Sequence, residues 1–200
     1  MSTPCAHLVD DDDAIRDAMA WLLQSRGIPC AAYASAEDFL AAWTPALAGC
    51  IVLDIRMSGT SGLDCFDQLR ERNSRLPVIF LTGHGDVPLA VAALKKGAFD
   101  FFEKPFNGND LACRISEAMA EDARQRLADA SLDSVNSRVA SLTTRERQIM
   151  ERVLAGKFNK VIADELNISM RTVEVHRANI FDKMQVKTAV ELANLMKPGP

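Results

Sequence analysis

Over the first 106 residues, short apolar runs alternate with stretches whose apolar positions recur every three to four residues. Ala6–Val9 is the first run, and it stops at the carboxylates Asp10–Asp13. Asp13 is expected to cap a helix carrying Ile15, Met19, Leu22 and Leu23 on one face and ending at Gly27. Ile28–Tyr33 reads as a second strand. Ser35 is the expected N-cap of a helix to Trp43, with Phe39, Leu40 and Trp43 inward. Cys50–Leu53 is a third strand ending at Asp54, followed by a Ser- and Gly-rich loop, Met57–Gly62, and a helix over Leu63–Arg72. Val78–Leu81 is a fourth strand leading into Thr82-Gly83-His84-Gly85. A helix follows over Asp86–Lys96, striped by Val87, Ala90, Val91 and Leu94 and stopped by Gly97. Ala98–Phe102 is a fifth strand, and another helix begins after Pro105.

Strands that alternate with helices of this length predict βαβ units and a parallel sheet. The strands are apolar throughout, as a sheet covered on both faces requires. The expected fold is therefore α/β, a doubly wound five-stranded parallel sheet of flavodoxin-like order 2-1-3-4-5. In such sheets ligands sit outside the carboxyl ends of the strands, where strand order reverses.

Beyond Leu111 the text is helix-forming to Arg138, without Gly or Pro. Leu111, Ile115 and Met119 continue a helical stripe, which thins to Leu127, Leu132 and Val135. This predicts a last domain helix running into a linker helix, with a break near Asp129–Ser137, where Asp, Ser and Asn cluster. The expected organisation is a first domain over 1–122, a linker helix over 123–140 and a small all-α domain over 141–200. In that last part, Thr143-Thr144-Arg145-Glu146 is a capping box ahead of Ile149, Val153 and Leu154. Asn159 is the expected cap of a short helix with Ile162, Ala163 and Leu166. Asn167-Ile168-Ser169 is a tight turn, and the next helix carries Val173, His176, Ile180 and Met184 inward. Lys187–Met196 is a fourth helix. A short helix, a three-residue turn and a longer helix form a helix-turn-helix.

Charge divides the chain in the same way. Residues 1–140 hold 13 Lys+Arg against 20 Asp+Glu, a net −7, and residues 141–200 hold 10 against 7, a net +3. The two parts should therefore meet different partners. No apolar run reaches membrane-spanning length, and the N-terminus has no export signal, so a cytoplasmic protein without a membrane partner is expected. Cys5, Cys30, Cys50, Cys65 and Cys113 show neither disulfide nor zinc spacing and read as reduced thiols.

The chemistry gathers at the strand ends. Asp10 and Asp11 follow the first strand, Asp54 the third, Thr82 the fourth and Lys104 the fifth. In the order 2-1-3-4-5 these strands are neighbours, so the side chains meet at one sheet edge. Two carboxylates 4 Å apart repel by on the order of 4 kcal/mol at an effective dielectric near 20. Three together call for a cation, and all-oxygen ligation favours Mg²⁺. A carboxylate nucleophile, a metal and a lysine are the parts of a phosphoryl-transfer site. Asp54, alone at its strand end, is the natural nucleophile. Asp10 and Asp11 would hold the metal, Lys104 would pair with the phosphoryl group, and the Thr82 hydroxyl would donate to it. A phosphohydrolase using the same aspartate is the enzyme alternative. Against it, Arg56 stands two residues after Asp54, where a general acid would be needed. A regulator with a vestigial pocket is the other alternative, and the complete set of five argues against that.

His7-Leu8-Val9-Asp10-Asp11-Asp12, Val52-Leu53-Asp54-Ile55-Arg56-Met57, Thr82-Gly83-His84-Gly85-Asp86 and Glu103-Lys104-Pro105-Phe106 resemble the hallmarks of two-component receiver domains of the FixJ type. The resemblance covers about residues 1–122. It implies Mg²⁺ on Asp11, Asp54 and the backbone carbonyl of Arg56, with Asp10 acting through water. It also implies phosphorylation of Asp54 by a sensor histidine kinase, and a switch in which Thr82 moves toward the phosphoryl group and Phe101 turns inward. The helix Asp86–Lys96 and the strand Ala98–Phe102 would then form a dimer face. One departure stands out: Ser58 occupies a loop position that usually carries Pro, which predicts a looser turn beside the metal.

Residues 141–197 resemble the LuxR/NarL-type helix-turn-helix through Leu142-Thr143-Thr144-Arg145-Glu146, Gly156-Lys157-Phe158-Asn159-Lys160, Thr172-Val173-Glu174-Val175-His176-Arg177 and Ile180-Phe181-Asp182-Lys183-Met184. With Val173, Ile180 and Met184 inward, the opposite face presents Arg171, Glu174, Val175 and Ala178 toward base edges. Arg can read guanine, Glu can accept from cytosine and Val can touch a thymine methyl. Lys160, Thr172, Arg177 and Lys183 are the expected phosphate contacts. His176 is expected to be a packed, hydrogen-bonded core residue. One such domain grips few phosphates, so a homodimer on two half-sites of double-stranded DNA is expected, with RNA polymerase as a further partner.

Overall fold

A computed structural model of the chain describes residues 3–83 and 86–197, so His84-Gly85 of the fourth motif and the Val87 side chain lie outside the described residues. The chain divides into two compact units between Arg126 and Leu127.

The first unit is built on β1 (Cys5–Val9), β2 (Cys30–Tyr33), β3 (Gly49–Asp54), β4 (Val78–Thr82) and β5 (Asp100–Glu103). They form one parallel sheet in the order β2-β1-β3-β4-β5. Every residue of β3 and β4 is buried, which explains strands that are apolar on both sides. Alternate side chains feed two separate cores. Ile51, Leu53, Val78 and Phe80 join Phe39, Phe66 and Leu69 on one face. Cys50, Val52, Ile79 and Leu81 join Met19, Leu23, Leu111 and Ile115 on the other. The helices supplying the two cores are α1 (Asp13–Ser25), α2 (Ala36–Ala42), α3 (Gly62–Glu71), α4 (Val87–Lys95), through Ala90 and Ala93, and the start of α5 (Gly108–Ala140).

Several boundaries differ from the sequence reading, among them β2, which starts at Cys30, and β5, which spans Asp100–Glu103; at two places the reason is identifiable. The cap of α1 is Asp12 rather than Asp13, because the Asp12 side chain accepts from the amides of Ala14 and Ile15. The expected break near Asp129–Ser137 is absent, and α5 runs unbroken to Ala140. Asp, Ser and Asn cost only a few tenths of a kcal/mol each in a helix interior, roughly 0.7 at most, whereas Gly or Pro would be needed to stop it.

The second unit contains α6 (Thr144–Leu154), α7 (Asn159–Leu166), α8 (Met170–Met184) and α9 (Ala189–Leu195), packed on Leu142, Ile149, Ile162, Val173, Ile180, Met184 and Leu192. Thr143 and Glu146 form the reciprocal capping box. Asn167 takes the left-handed conformation, φ 51°, that turns α7 into α8, and Ser169 caps α8. Asn159 is not a cap. Phe158 occupies that position, and the Asn159 Oδ1 instead accepts from Arg177 Nη1 at 2.8 Å. All five cysteines are free thiols, and no described helix is long and apolar enough to cross a membrane.

Candidate functional site

The register of the sheet sets where the candidate residues stand. Val9 pairs with Leu53, Asp54 with Leu81 and Thr82 with Glu103. Asp10, Asp54, Thr82 and Lys104 therefore leave their strands at one edge. The ladder even extends one bond further, since the Lys104 amide donates to the Thr82 carbonyl at 2.8 Å.

Lys104 sits between two of the carboxylates. Its Nζ lies 2.9 Å from Asp10 Oδ2 and 3.2 Å from Asp54 Oδ1. Asp10 is fully buried, and its other oxygen accepts from the Asp12 amide at 2.9 Å. Asp10, Asp11 and Asp54 each offer an oxygen within 4.8 Å of the others. Burial pushes the Asp54 carboxyl above its ordinary range, and the charges of Asp10 and Asp11 add to this against the pull of Lys104. Burial opposes the charge on Lys104, but hydrogen bonds and attraction from Asp10 and Asp54 outweigh it, and its pKa is raised. The cluster thus holds more negative than positive charge. With oxygen donors alone, and neither His nor Cys among them, it fits a hard divalent cation.

Thr82 is buried at the end of β4, and its hydroxyl donates to the Gly83 carbonyl at 3.2 Å. Phe101 is half-buried and packs beside the Phe66 and Phe80 core face. Gly62, the first residue of α3, lies against the backbone of Asp54, where any β-carbon would overlap the Asp54 carbonyl.

Three features escaped the sequence reading. Ser58, at the position expected to loosen the turn, carries two donors to the site: its amide donates to Asp11 Oδ2 at 2.8 Å and its hydroxyl donates to the same oxygen at 2.6 Å. These two bonds, the hydroxyl foremost, hold the Asp11 carboxyl below its usual range. The Arg56 guanidinium forms a bidentate pair with buried Asp86, at 2.6 and 2.5 Å, joining the loop after β3 to the start of α4. Arg16 Nη1 donates to the Asp10 carbonyl at 2.5 Å. A Ser in place of Pro was the one visible signal; the pairs reaching across the fold leave no local pattern.

In the second unit, Arg171, Glu174, Val175 and Ala178 are exposed along α8, and Lys160 is exposed on α7. Thr172 is half-buried and shares a hydrogen bond with Ser169, its helix cap. Two expected phosphate contacts are occupied within the domain. Arg177 bonds Asn159, and Lys183 Nζ bonds Glu146 Oε2 at 2.7 Å. His176 is half-buried, but its Nδ1 has no hydrogen-bond partner among the described residues.

Residues 6–116 match the family model described as response regulator receiver domain, and residues 140–196 match that of bacterial regulatory proteins, luxR family. The chain belongs to the response regulators. This regulator is 44% identical over 189 residues to the transcriptional regulatory protein FixJ of Azorhizobium caulinodans, spanning 94% of this chain and 90% of that one. It is 47% identical over 192 residues to the C4-dicarboxylate transport transcriptional regulatory protein DctR of Rhodobacter capsulatus, spanning 94% and 97%. Among solved structures, the response regulator StyR superposes with a TM-score of 0.92 at 38% identity, covering 97% of this chain and 98% of that one. Full-length FixJ from B. japonicum gives a TM-score of 0.60 at 42% identity, covering 98% and 96%. The regulator thus joins a flavodoxin-like receiver to a LuxR-type DNA-binding domain, and it belongs with transcriptional regulators of two-component systems rather than with enzymes.

Proposed function

We propose that Asp54 accepts a phosphoryl group from a sensor histidine kinase, and that this event governs binding of the second unit to promoter DNA. The observation that carries the reading is Lys104 Nζ lodged between Asp10 and Asp54, with Asp11 completing a cluster of three carboxylates. An Asp54 oxygen attacks phosphorus, the bond from phosphorus to the donor histidine breaks, and an acyl phosphate results. Lys104, already 3.2 Å from Asp54, would neutralise a phosphoryl oxygen with a small movement of its flexible stem. Asp10, Asp11, Asp54 and the Arg56 carbonyl would hold Mg²⁺, which when bound screens charge on the phosphoryl oxygens.

The added charge, about −1.5 to −2, would draw the Thr82 hydroxyl from the Gly83 carbonyl and let Phe101 move further into the core beside it. Residues 123–140 would link the domains 1–122 and 141–200, and two phosphorylated copies would pair through α4 and β5. The DNA-reading face is Arg171, Glu174, Val175 and Ala178, with Lys160 and Thr172 on phosphates. Arg177 and Lys183 reach phosphates only by leaving Asn159 and Glu146. RNA polymerase would be met on the promoter, in the cytoplasm.

Incubation with radiolabelled acetyl phosphate and Mg²⁺ tests the acceptor. Label is expected on the wild type and absent from Asp54→Asn. Equal labelling of the variant excludes Asp54.

A further inference from the structure

The loop between β3 and α3 is fastened by two matched pairs of donors. The Ser58 amide and hydroxyl converge on Asp11 Oδ2 at 2.8 and 2.6 Å. Two residues on, the Thr60 amide and hydroxyl converge on Glu37 Oε1 at 2.9 and 2.6 Å. Each pair joins a residue of this loop to a carboxylate from elsewhere in the fold, Asp11 after β1 and Glu37 in the first turn of α2. Gly59 between them has φ +81°, a left-handed conformation that turns the two pairs toward different anchors.

We propose that Ser58 is a positioning residue for the cation site, holding the Asp11 carboxylate in the orientation that a divalent ion requires. This rests on the cation reading of the Asp10, Asp11 and Asp54 cluster. Asp11 is exposed. Left alone, its side chain would sample several rotamers and lose that freedom on binding an ion. Ser58 removes the freedom beforehand. Both donors use Oδ2, so the second carboxylate oxygen keeps its lone pairs for a cation. Donors also draw electron density from a ligand, which by itself would weaken ion binding. Orientation outweighs this, because the partners that orient ligating side chains typically contribute about 10- to 100-fold to metal affinity. Proline at this position would carry neither donor. The Thr60–Glu37 pair ties the far side of the same loop to α2.

The test is Mg²⁺ titration of the unphosphorylated full-length chain by isothermal titration calorimetry. Ser58→Ala removes the hydroxyl donor and is expected to raise the Mg²⁺ Kd by roughly tenfold, the low end of that range. Ser58→Thr keeps both donors and is expected to restore wild-type affinity, which a general packing role for the serine would not guarantee. Melting curves in the presence of a chelator check that all variants are equally folded. Unchanged or tighter Mg²⁺ binding by Ser58→Ala, or failure of Ser58→Thr to restore it, overturns the proposal. Asp11→Asn is the separate control. If it binds Mg²⁺ as the wild type does, the cation reading itself falls, and the role of Ser58 falls with it.

Discussion

Glu146 is 3% exposed and accepts from the Thr143 amide at 2.8 Å and from Lys183 at 2.7 Å. The Lys183 hydrogen bond, the strongest of its influences, holds the carboxyl below its usual range. A depressed carboxylate pKa favours the folded state while the group is ionised. That stabilisation is fully present above the ordinary value of 4.5 and fades as pH falls through the lower folded value. Glu146→Gln is expected to lose about 1–3 kcal/mol at neutral pH. The gap from wild type should narrow as pH drops below 4.5; urea unfolding followed at several pH values checks both. A gap that stays constant with pH would remove charge from the explanation. Gly62 gives a prediction of a different kind. Gly62→Ala forces a β-carbon onto the Asp54 carbonyl, so phosphorylation by acetyl phosphate should slow more than overall stability falls.

The start of β3 is held by a side chain from α5. Buried Asp122 on α5 accepts from the Gly49 amide at 2.9 Å and from Arg126 Nε at 2.7 Å, while Arg126 also reaches the Leu47 carbonyl. Asp122→Ala leaves a buried amide unsatisfied, at an expected cost of roughly 1–3 kcal/mol, readable as a lower urea midpoint. Ser131→Pro should interrupt α5 in a stretch where the described helix is continuous, at a cost of about 3 kcal/mol of helix stability. If α5 carries the signal, this variant still takes phosphate and still binds DNA, but the first no longer changes the second. An undiminished response would show that the signal travels by another route. These elements also mark what the sequence could reveal. Unbroken apolar runs located the described strands, because alternate strand residues enter two cores, and spacings of three and four located the described helices. Ends shifted where local choices compete. Four consecutive aspartates from Asp10 to Asp13 could each cap α1, and only Asp12 places its oxygen against the first amides. The grouping of Asp10, Asp11, Asp54 and Lys104 was legible because strand ends are local features that topology brings together. The Arg56–Asp86 pair, 30 residues apart, and the donors of Ser58 to Asp11, 47 apart, depend on how loops close over the sheet edge.

For the molecule as a whole, charge separates signal from target. The net −7 before residue 141 and the net +3 after it suit a cation-dependent pocket and a polyanionic partner respectively. Lys160→Ala is expected to weaken binding evenly across DNA sequences and to reduce the slope of log affinity against log salt by about 1. Arg171→Ala should instead relax preference at one base position, at a cost of roughly 1–3 kcal/mol for the preferred site. Fluorescence anisotropy over a salt series with two oligonucleotides distinguishes the two; identical behaviour would mean that Arg171 does not face a base. The buried clusters carry a longer consequence. Among the described residues, the buried clusters of the receiver draw on residues up to Ala118 and that of the DNA-binding unit starts at Leu142. A genetic crossover in the intervening codons would divide none of these clusters, and evolution could wire an existing sensor input to a new set of genes in one event.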